Sequence, residues 1–274
     1  MTLNCNGQLI ALDTPKVMGI LNVTPDSFYD GGRFKDEKSI LIQVEKLLNE
    51  GASFIDIGAY SSRPGADFVT EDEELKRLIP VVTLVHNSFP KCLISIDSFR
   101  SNIIRTAIEA GAALVNDISG GQLDPLMFET VGALQVPYIM MHMRGTPQNM
   151  QQMTDYADVT KAVFTYFSER IQLAKKHHIK DIILDLGFGF SKTKDQNFEL
   201  LALLDYFTNL HLPILAGVSR KSMIYKTLNT TANKALNGTT ALHMVALQKG
   251  VKILRVHDVK EAMECIKLNE ALQK

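Results

Sequence analysis

The feature that most constrains this chain is a regular alternation of short apolar runs with longer amphipathic stretches. Each run has five or six residues and is bounded by turn residues, as expected for strands that are buried on both faces. The intervening stretches are long enough for helices, and this order is typical of a parallel sheet built from strand–helix units. The eight runs are 17–22, 53–58, 92–97, 113–117, 138–143, 181–185, 213–217 and 252–257.

Eight strand–helix units in 274 residues predict a closed (β/α)8 barrel, or TIM barrel, that spans residues 1–274 as a single α/β domain. An open doubly wound sheet is the alternative, but the G-x-G-x-x-G fingerprint that would favour it is absent. The Asn6-Gly7 pair ahead of the first run predicts a β-hairpin. Its position suggests that this hairpin covers the bottom of the barrel.

Local signals predict where some helices begin and end. The stretch 40–48 has apolar residues at helical spacing, and Gly51 follows it as a stop signal. Thr70 and Glu73 have the spacing of a capping box, which indicates the start of the next helix. Because proline lacks the backbone N–H, we expect Pro80 to kink or shorten that helix.

Composition and charge exclude several classes of protein. The net charge is −1, with 29 Lys and Arg against 30 Asp and Glu, so neither a nucleic-acid binder nor a membrane-surface binder is indicated. No apolar run approaches the roughly 20 residues that cross a bilayer, and the first ten residues do not resemble a secretory signal. We therefore expect a cytoplasmic protein. The three cysteines have neither metal-ligand nor disulfide spacing, and Cys92 is expected in the core.

Polar residues stand at the carboxyl end of each apolar run. In a barrel these ends converge on one mouth, where barrel enzymes carry their chemistry. A satisfied core group or a helix cap is the structural alternative for any single residue, but polar residues at all eight ends favour an active site. The residues are Asn22, Asp56, Asp97, Asn116, Asp117, His142, Asp185, Ser219, Arg220, Lys221, Arg255 and His257, with Ser61, Ser62 and Arg63 following the second run.

The polar residues divide by chemistry into two groups. Asp97, Asn116 and Asp185 suit a flat heterocycle with an amidine-like edge, because a carboxylate accepts two parallel N–H bonds. Lys221 could bind a carbonyl group of such a ligand or form a Schiff base. The second group can hold an anion such as diphosphate, and it comprises Arg63, Arg255 and His257, with Asn22 as an oxygen ligand for Mg²⁺.

Two glycine-containing connections, 24–34 and 59–69, are candidate lids over the mouth. Arg33 and Arg63 within them favour that interpretation over variable surface loops. A third loop contains Phe188 and Phe190 between glycines, and we expect one of these two rings to pack in the core.

These residues occur in motifs that resemble the dihydropteroate synthases. The motifs are M-G-I-L-N-V-T-P-D-S-F at 18–28 with D-G-G at 30–32, S-S-R-P-G-A at 61–66, V-N-D at 115–117, M-H-M at 141–143, D-L-G-F-G-F at 185–190, S-R-K-S-M-I at 219–224 and R-V-H-D-V at 255–259. They follow the order of the family and cover nearly the whole chain.

The resemblance implies condensation of (7,8-dihydropterin-6-yl)methyl diphosphate with p-aminobenzoate, with Mg²⁺ as cofactor, in a cytoplasmic homodimer without nucleic-acid or membrane partners. The implied catalytic residues are Asp97, Lys221, Arg255, His257 and Arg63. Pterin would be bound by Asp97, Asn116, Asp185 and Lys221, and diphosphate by Asn22, Ser62, Arg63, Arg255 and His257. The p-aminobenzoate site would comprise Ser62, Pro64, Phe190, Ser219 and Lys221, with Asn22 as the metal ligand.

The chain departs from the family pattern in the second loop, where Ala59-Tyr60-Ser61-Ser62 replaces Gly-Glu-Ser-Thr. Ser62 keeps the hydroxyl, whereas Tyr60 lacks the family carboxylate. Phe99-Arg100 likewise replaces a small residue and a lysine. The alternative functions are a non-catalytic pterin-binding paralogue, a pterin-dependent methyltransferase of the same superfamily and a Schiff-base aldolase using Lys221.

Overall fold

The computed structural model describes residues 1–23, 29–30, 33–34, 37–60 and 69–273. Eight parallel strands form a closed barrel in chain order, and the last strand pairs with the first. This confirms the TIM barrel and excludes the open sheet. The strands are β1 (Thr2–Cys5), β2 (Gln8–Ala11), β3 (Lys16–Asn22), β4 (Tyr29–Asp30), β5 (Arg33–Phe34), β6 (Phe54–Gly58), β7 (Leu93–Asp97), β8 (Leu114–Asp117), β9 (Tyr138–Met141), β10 (Ile182–Asp185), β11 (Ile214–Ala216) and β12 (Ile253–Val256).

The eight apolar runs all form barrel strands, namely β3 and β6 to β12. The helices lie in the connections between strands, except the last helix, which follows the last strand. They are α1 (Glu37–Asn49), α2 (Glu71–Ser88), α3 (Ser101–Glu109), α4 (Met127–Leu134), α5 (Val159–Lys176), α6 (Lys194–Ala202), α7 (Ser222–Thr227), α8 (Leu236–Gln248) and α9 (Val259–Leu272). In the part of the chain that the structure describes, none of them is long and apolar enough to cross a membrane.

Helix α2 begins as predicted but does not end as predicted. The Thr70 hydroxyl accepts a hydrogen bond from the Glu73 backbone N–H at 3.3 Å, which caps the helix. The helix then continues through Pro80 to Ser88. Of the two effects predicted for this proline, a kink or a shortened helix, the second was therefore wrong. Buried side chains on both sides of Pro80, among them Leu78 and Val85, pack in the core and outweigh the lost hydrogen bond.

The hairpin of β1 and β2 covers the bottom of the barrel, as expected. Asn6 and Gly7 have φ angles of 51° and 83°, the left-handed pair that a tight hairpin turn requires. Leu3, Cys5 and Leu12 pack with the first inward-facing layer of the barrel. That layer contains Met18, Phe54, Leu114, Ile139, Ile183, Leu215 and Ile253.

The barrel interior changes from apolar to polar over a step of two residues along the strands. Successive side chains of a strand point to opposite faces, so a residue two positions after an inward-facing one also faces inward. This step places polar residues above the apolar bottom layer. The pairs are Phe54 and Asp56, Leu114 and Asn116, Ile183 and Asp185, and Ile253 and Arg255.

Candidate active site

A cavity lies at the carboxyl ends of the barrel strands. All four residues predicted to bind the pterin line it, and so do Phe190 and Arg255. The lining residues are Asp97, Asn116, Ile118, Met141, Asp185, Phe190, Gly217, Lys221 and Arg255.

Arg255 joins two carboxylates at the base of this cavity. Its Nε donates to Oδ2 of Asp56 at 2.6 Å, and its Nη2 donates to Oδ2 of Asp97 at 2.7 Å. The same Asp56 oxygen accepts from Nδ2 of Asn116 at 3.0 Å, while the other oxygen of this buried carboxylate has no partner among the described residues. Asp56 therefore orients two cavity residues. The sequence placed it among the polar strand ends, but no family motif contains it and no specific contact was predicted for it. Asp56 lies two residues after the inward-facing Phe54, and this spacing indicates that Asp56 also faces the barrel interior.

The cavity holds ionisable groups in a desolvated environment. Burial raises the pKa of Asp97, and the Arg255 guanidinium opposes that shift. Burial also raises the pKa of Asp185, against the effect of Lys221 and of a hydrogen bond from the Gly187 N–H. Burial lowers the pKa of Lys221 to about 8, although Asp185 favours its charged form. Such pKa shifts are typical of functional sites, because the groups can then gain or lose protons near neutral pH.

Lys221 and Phe190 form one wall of the cavity. The Lys221 ammonium donates to the carbonyl oxygen of Phe188 and lies 4.8 Å from the centroid of the Phe190 ring. Phe188 is fully buried in the core, which confirms that one of the two rings has a packing role. Gly217 also lines this side of the cavity, and a Cβ added there would lie 3.8 Å from Nζ of Lys221, in ordinary van der Waals contact.

The buried side chain of Lys192 holds the loop that carries Phe190. Its Nζ donates to the carbonyl oxygens of Gly187 and Phe190 at 3.0 Å each and of His142 at 3.3 Å. Lys192 was not predicted as a site residue, because an isolated lysine after a glycine-rich loop resembles an ordinary surface residue.

Ser219 and His257 lie together at the ends of β11 and β12. The Ser219 hydroxyl accepts from the His257 backbone N–H at 3.2 Å and lies 3.0 Å from Nδ1 of the same residue. Ser219 is buried and His257 is exposed, so the serine orients an imidazole that faces the surface. Arg220 instead forms a two-bond ion pair with Asp258 at 2.6 and 2.7 Å.

Two polar strand ends have structural roles. Asp117 accepts hydrogen bonds from the backbone of Ser119 and Gly121 and from the hydroxyl of Tyr138, and so organises the loop after β8. The buried ring of His142 packs edge-on against Tyr166, with 4.8 Å between the ring centroids.

Comparison with known proteins decides the family. The model of the pterin binding enzymes matches residues 18–257. The dihydropteroate synthase of Haemophilus influenzae is 43% identical over 273 residues, which cover 99% of this chain and 98% of that protein. The chain belongs to the dihydropteroate synthases. The family member of Escherichia coli is 41% identical, with coverage of 99% and 96%.

Solved structures of dihydropteroate synthases share the whole fold. The Yersinia pestis enzyme, in complex with a sulfonamide drug, superposes with a TM-score of 0.93 at 39% identity, and the match covers 100% of this chain and 99% of that one. The Xanthomonas albilineans enzyme with 4-aminobenzoic acid gives 0.91 at 37% identity, with coverage of 99% and 98%. The resemblance drawn from the sequence motifs is thereby confirmed.

Several synthase residues implied by the motifs lie outside the described residues. These are Ser62, Arg63 and Pro64, together with most of the two candidate lids and the side chain of Arg33. Asn22 ends β3, and its even spacing from Met18 puts it on the inward face. Across 1–23, 37–60 and 69–273, no three His, Cys, Asp or Glu side chains lie together as a metal site would require. The single amide oxygen of Asn22 fits a Mg²⁺ ion whose other ligands are waters and phosphate oxygens.

Proposed function

We propose that this synthase condenses (7,8-dihydropterin-6-yl)methyl diphosphate with p-aminobenzoate to give 7,8-dihydropteroate and diphosphate. The observation that carries the proposal is the cavity, in which Asn116, Asp185 and Lys221 converge at the carboxyl ends of the strands. Family membership supports the same reaction, because the relatives named above are dihydropteroate synthases over their full length.

The cavity suits a pterin because polar and apolar groups share its walls. Asp185 and Asn116 can bind the aminopyrimidine edge, for which a carboxylate and an amide provide matching acceptors and donors. Protonated Lys221 can donate to a ring carbonyl. Ile118 and Met141 line the same cavity and can cover the faces of a flat ring.

The diphosphate would lie outside the pterin, towards the ends of β3 and β12. Arg63, Ser62 and His257 would donate to its oxygens, and Arg255 would add positive charge from the base of the site. When bound by Asn22 together with diphosphate oxygens and waters, Mg²⁺ would neutralise the leaving group.

The reaction is a substitution at the pterin methylene carbon. The carbon–oxygen bond to diphosphate breaks, and the leaving group takes the electron pair. The cation that remains is delocalised into the pterin, and the Asp97 carboxylate stabilises it through a ring N–H. The arylamine nitrogen then forms the new bond and loses a proton to solvent. Phe190, Ser219 and Lys221, with Ser62 and Pro64, would position that amine.

The test is diphosphate release from the pterin substrate and Mg²⁺, with and without p-aminobenzoate, together with chromatography for dihydropteroate. Asn116→Ala and Asp185→Asn should raise the Kd for the pterin, whereas Ser219→Ala should chiefly raise KM for the amine. Lys249→Ala is the control, because that lysine pairs with Asp205 on the surface. Pterin binding without dihydropteroate formation would support the non-catalytic paralogue. Borohydride trapping on Lys221 would support the aldolase.

Homodimer formation and a cytoplasmic location remain predictions. Helix α9 supports the first, because Leu268 and Leu272 are exposed one turn apart on it, with 62% and 70% of their surface accessible. Light scattering should give twice the chain mass, and Leu268→Glu should reduce it towards the monomer.

A further inference from the structure

Two loops at the mouth pack closely against each other. One is the β9 loop (residues 142–158), which connects β9 to α5, and the other is the β10 loop (residues 186–193), which carries Phe190. A Cβ added at Gly187, whose φ is 68°, would lie only 2.1 Å from the carbonyl oxygen of His142. The two backbones can therefore approach this closely only because Gly187 has no side chain.

Ser191 connects the two loops. Its hydroxyl oxygen accepts a hydrogen bond from the backbone N–H of Arg144 at 2.9 Å and lies 3.4 Å from the hydroxyl oxygen of Tyr156. Both partners belong to the β9 loop. They also contact each other, because the guanidinium carbon of Arg144 lies 3.7 Å from the centroid of the Tyr156 ring. We call Arg144, Tyr156 and Ser191 the Ser191 cluster.

The backbone of Ser191 has an unfavourable conformation for a residue with a side chain. Its φ is 44°, in the left-handed region that glycine adopts readily and serine rarely does. The residue is nevertheless fully buried, with 0% of its surface exposed. Such a conformation persists where the surrounding contacts hold it in place, and the hydroxyl of Ser191 makes those contacts with the β9 loop.

The β9 loop therefore positions Phe190 in two ways. Through Arg144 and Tyr156 it holds Ser191, which directly follows Phe190 in the chain. It also supplies part of the apolar surface on which the Phe190 ring packs. That surface consists of Ile118, Met141, Met143 and Met150, of which the last two belong to the β9 loop.

We propose that Ser191 is a positioning residue that couples the β9 loop to Phe190 and thereby sets the affinity for p-aminobenzoate. The proposal rests on the proposed function, in which Phe190 contacts the amine substrate. Without the hydroxyl, the ring should occupy its binding position for a smaller fraction of the time, and the apparent affinity falls with that fraction. Ser191 does not line the described cavity, so pterin binding by Asn116 and Asp185 should be nearly independent of it.

The experiment compares Ser191→Ala with Ser191→Gly, because both remove the hydroxyl but only glycine relieves the left-handed backbone. At saturating pterin diphosphate, both variants should raise KM for p-aminobenzoate about fivefold, as expected for the loss of one hydrogen bond. The value of kcat and the Kd for the pterin, from calorimetry, should stay within about twofold. Ser191→Gly should have the higher melting temperature of the two, so that KM and stability change independently.

Two further variants test the contact itself. Tyr156→Phe keeps the ring beside Arg144 and should raise KM by less than Ser191→Ala does. Added to Ser191→Ala, it should raise KM little further, because both changes remove the same contact. Ser168→Ala is the matched control, since the hydroxyl of this serine donates to the carbonyl oxygen of Phe164 within α5, at 2.9 Å, and it should leave KM unchanged.

Phe190→Ala, assayed in parallel, separates this proposal from the proposed function. If Phe190→Ala raises KM while both Ser191 variants leave it unchanged, the positioning role is overturned and the proposed function stands. If KM instead follows the melting temperature, so that Ser191→Gly binds the amine like the wild type, Ser191 acts only through backbone stability and the proposal is wrong. If the wild type forms no dihydropteroate, the proposed function fails and the positioning role fails with it.

Discussion

Replacing Arg255 with methionine should cost about 4 kcal/mol of folding free energy near pH 8, because removing one partner of a buried ion pair typically costs about 3–5 kcal/mol. The structure supports this magnitude. Arg255 donates one hydrogen bond to each of two carboxylates, at 2.6 and 2.7 Å, and its side chain is 19% exposed. Each hydrogen bond to a charged group contributes about 1.5–3 kcal/mol, which gives a similar total. Asp56, which is 0% exposed, would keep a charge without its partner.

The loss should depend on pH in a defined direction. Burial already raises the pKa of Asp97, and the Arg255 guanidinium opposes that shift. Without the guanidinium the pKa of Asp97 rises further, so the folded variant binds more protons than the folded wild type over this pH range. Relative to the wild type, the stability of the variant then falls as pH rises, and the deficit should be larger near pH 8 than near pH 5.5. Urea unfolding of both proteins at the two pH values measures this difference.

Two further variants control the experiment. Lys249→Met breaks a pair with Asp205 whose side chains are 26% and 62% exposed, and it should cost less than about 1 kcal/mol. Adding Asp56→Asn to Arg255→Met should recover part of the stability, because it removes the buried carboxylate that has lost its ion-pair partner. The reasoning is refuted if Arg255→Met loses no more free energy of unfolding than Lys249→Met does, and if that loss is the same at both pH values.

Three other predictions concern residues around the same mouth. Pterin affinity should fall as pH rises through about 8, where Lys221 loses its proton. Calorimetry at several pH values on the wild type and on Lys221→Gln checks this. If the pterin affinity of Lys221→Gln falls over the same pH range, the prediction is contradicted. Lys192→Met should raise KM for p-aminobenzoate about tenfold by loosening the loop of Phe190, with an unchanged circular dichroism spectrum. Tyr138→Phe should cost about 1.5–3 kcal/mol in urea unfolding, since Asp117 loses a buried hydrogen bond, and should leave KM unchanged.

The barrel could be predicted from sequence because its strands are buried on both faces. Such strands appear as continuous apolar runs, and the polar residue that ends each run reports the position of the mouth. Asn116 and Asp185 were placed in the cavity on this basis, and the structure brings them together. The family motifs added the chemical roles, which spacing alone could not assign.

What sequence could not supply were interactions between residues far apart in the chain. Asp56 and Arg255 are 199 positions apart, and nothing near either residue indicates that they pair. Lys192 depends in the same way on the carbonyl group of His142, 50 positions away. Pro80 was misjudged for a related reason, since the tertiary packing of α2 outweighs a local helix-breaking signal.

The N-terminal hairpin offers a route to directed attachment. It covers the end of the barrel opposite the mouth, and the Leu9 side chain on β2 is 71% exposed. The chain's three cysteines are all buried, so Leu9→Cys would supply an accessible thiol. An enzyme coupled to a sensor surface or a fluorophore through that thiol would keep its mouth facing the solution, and ligand binding could be followed without blocking entry.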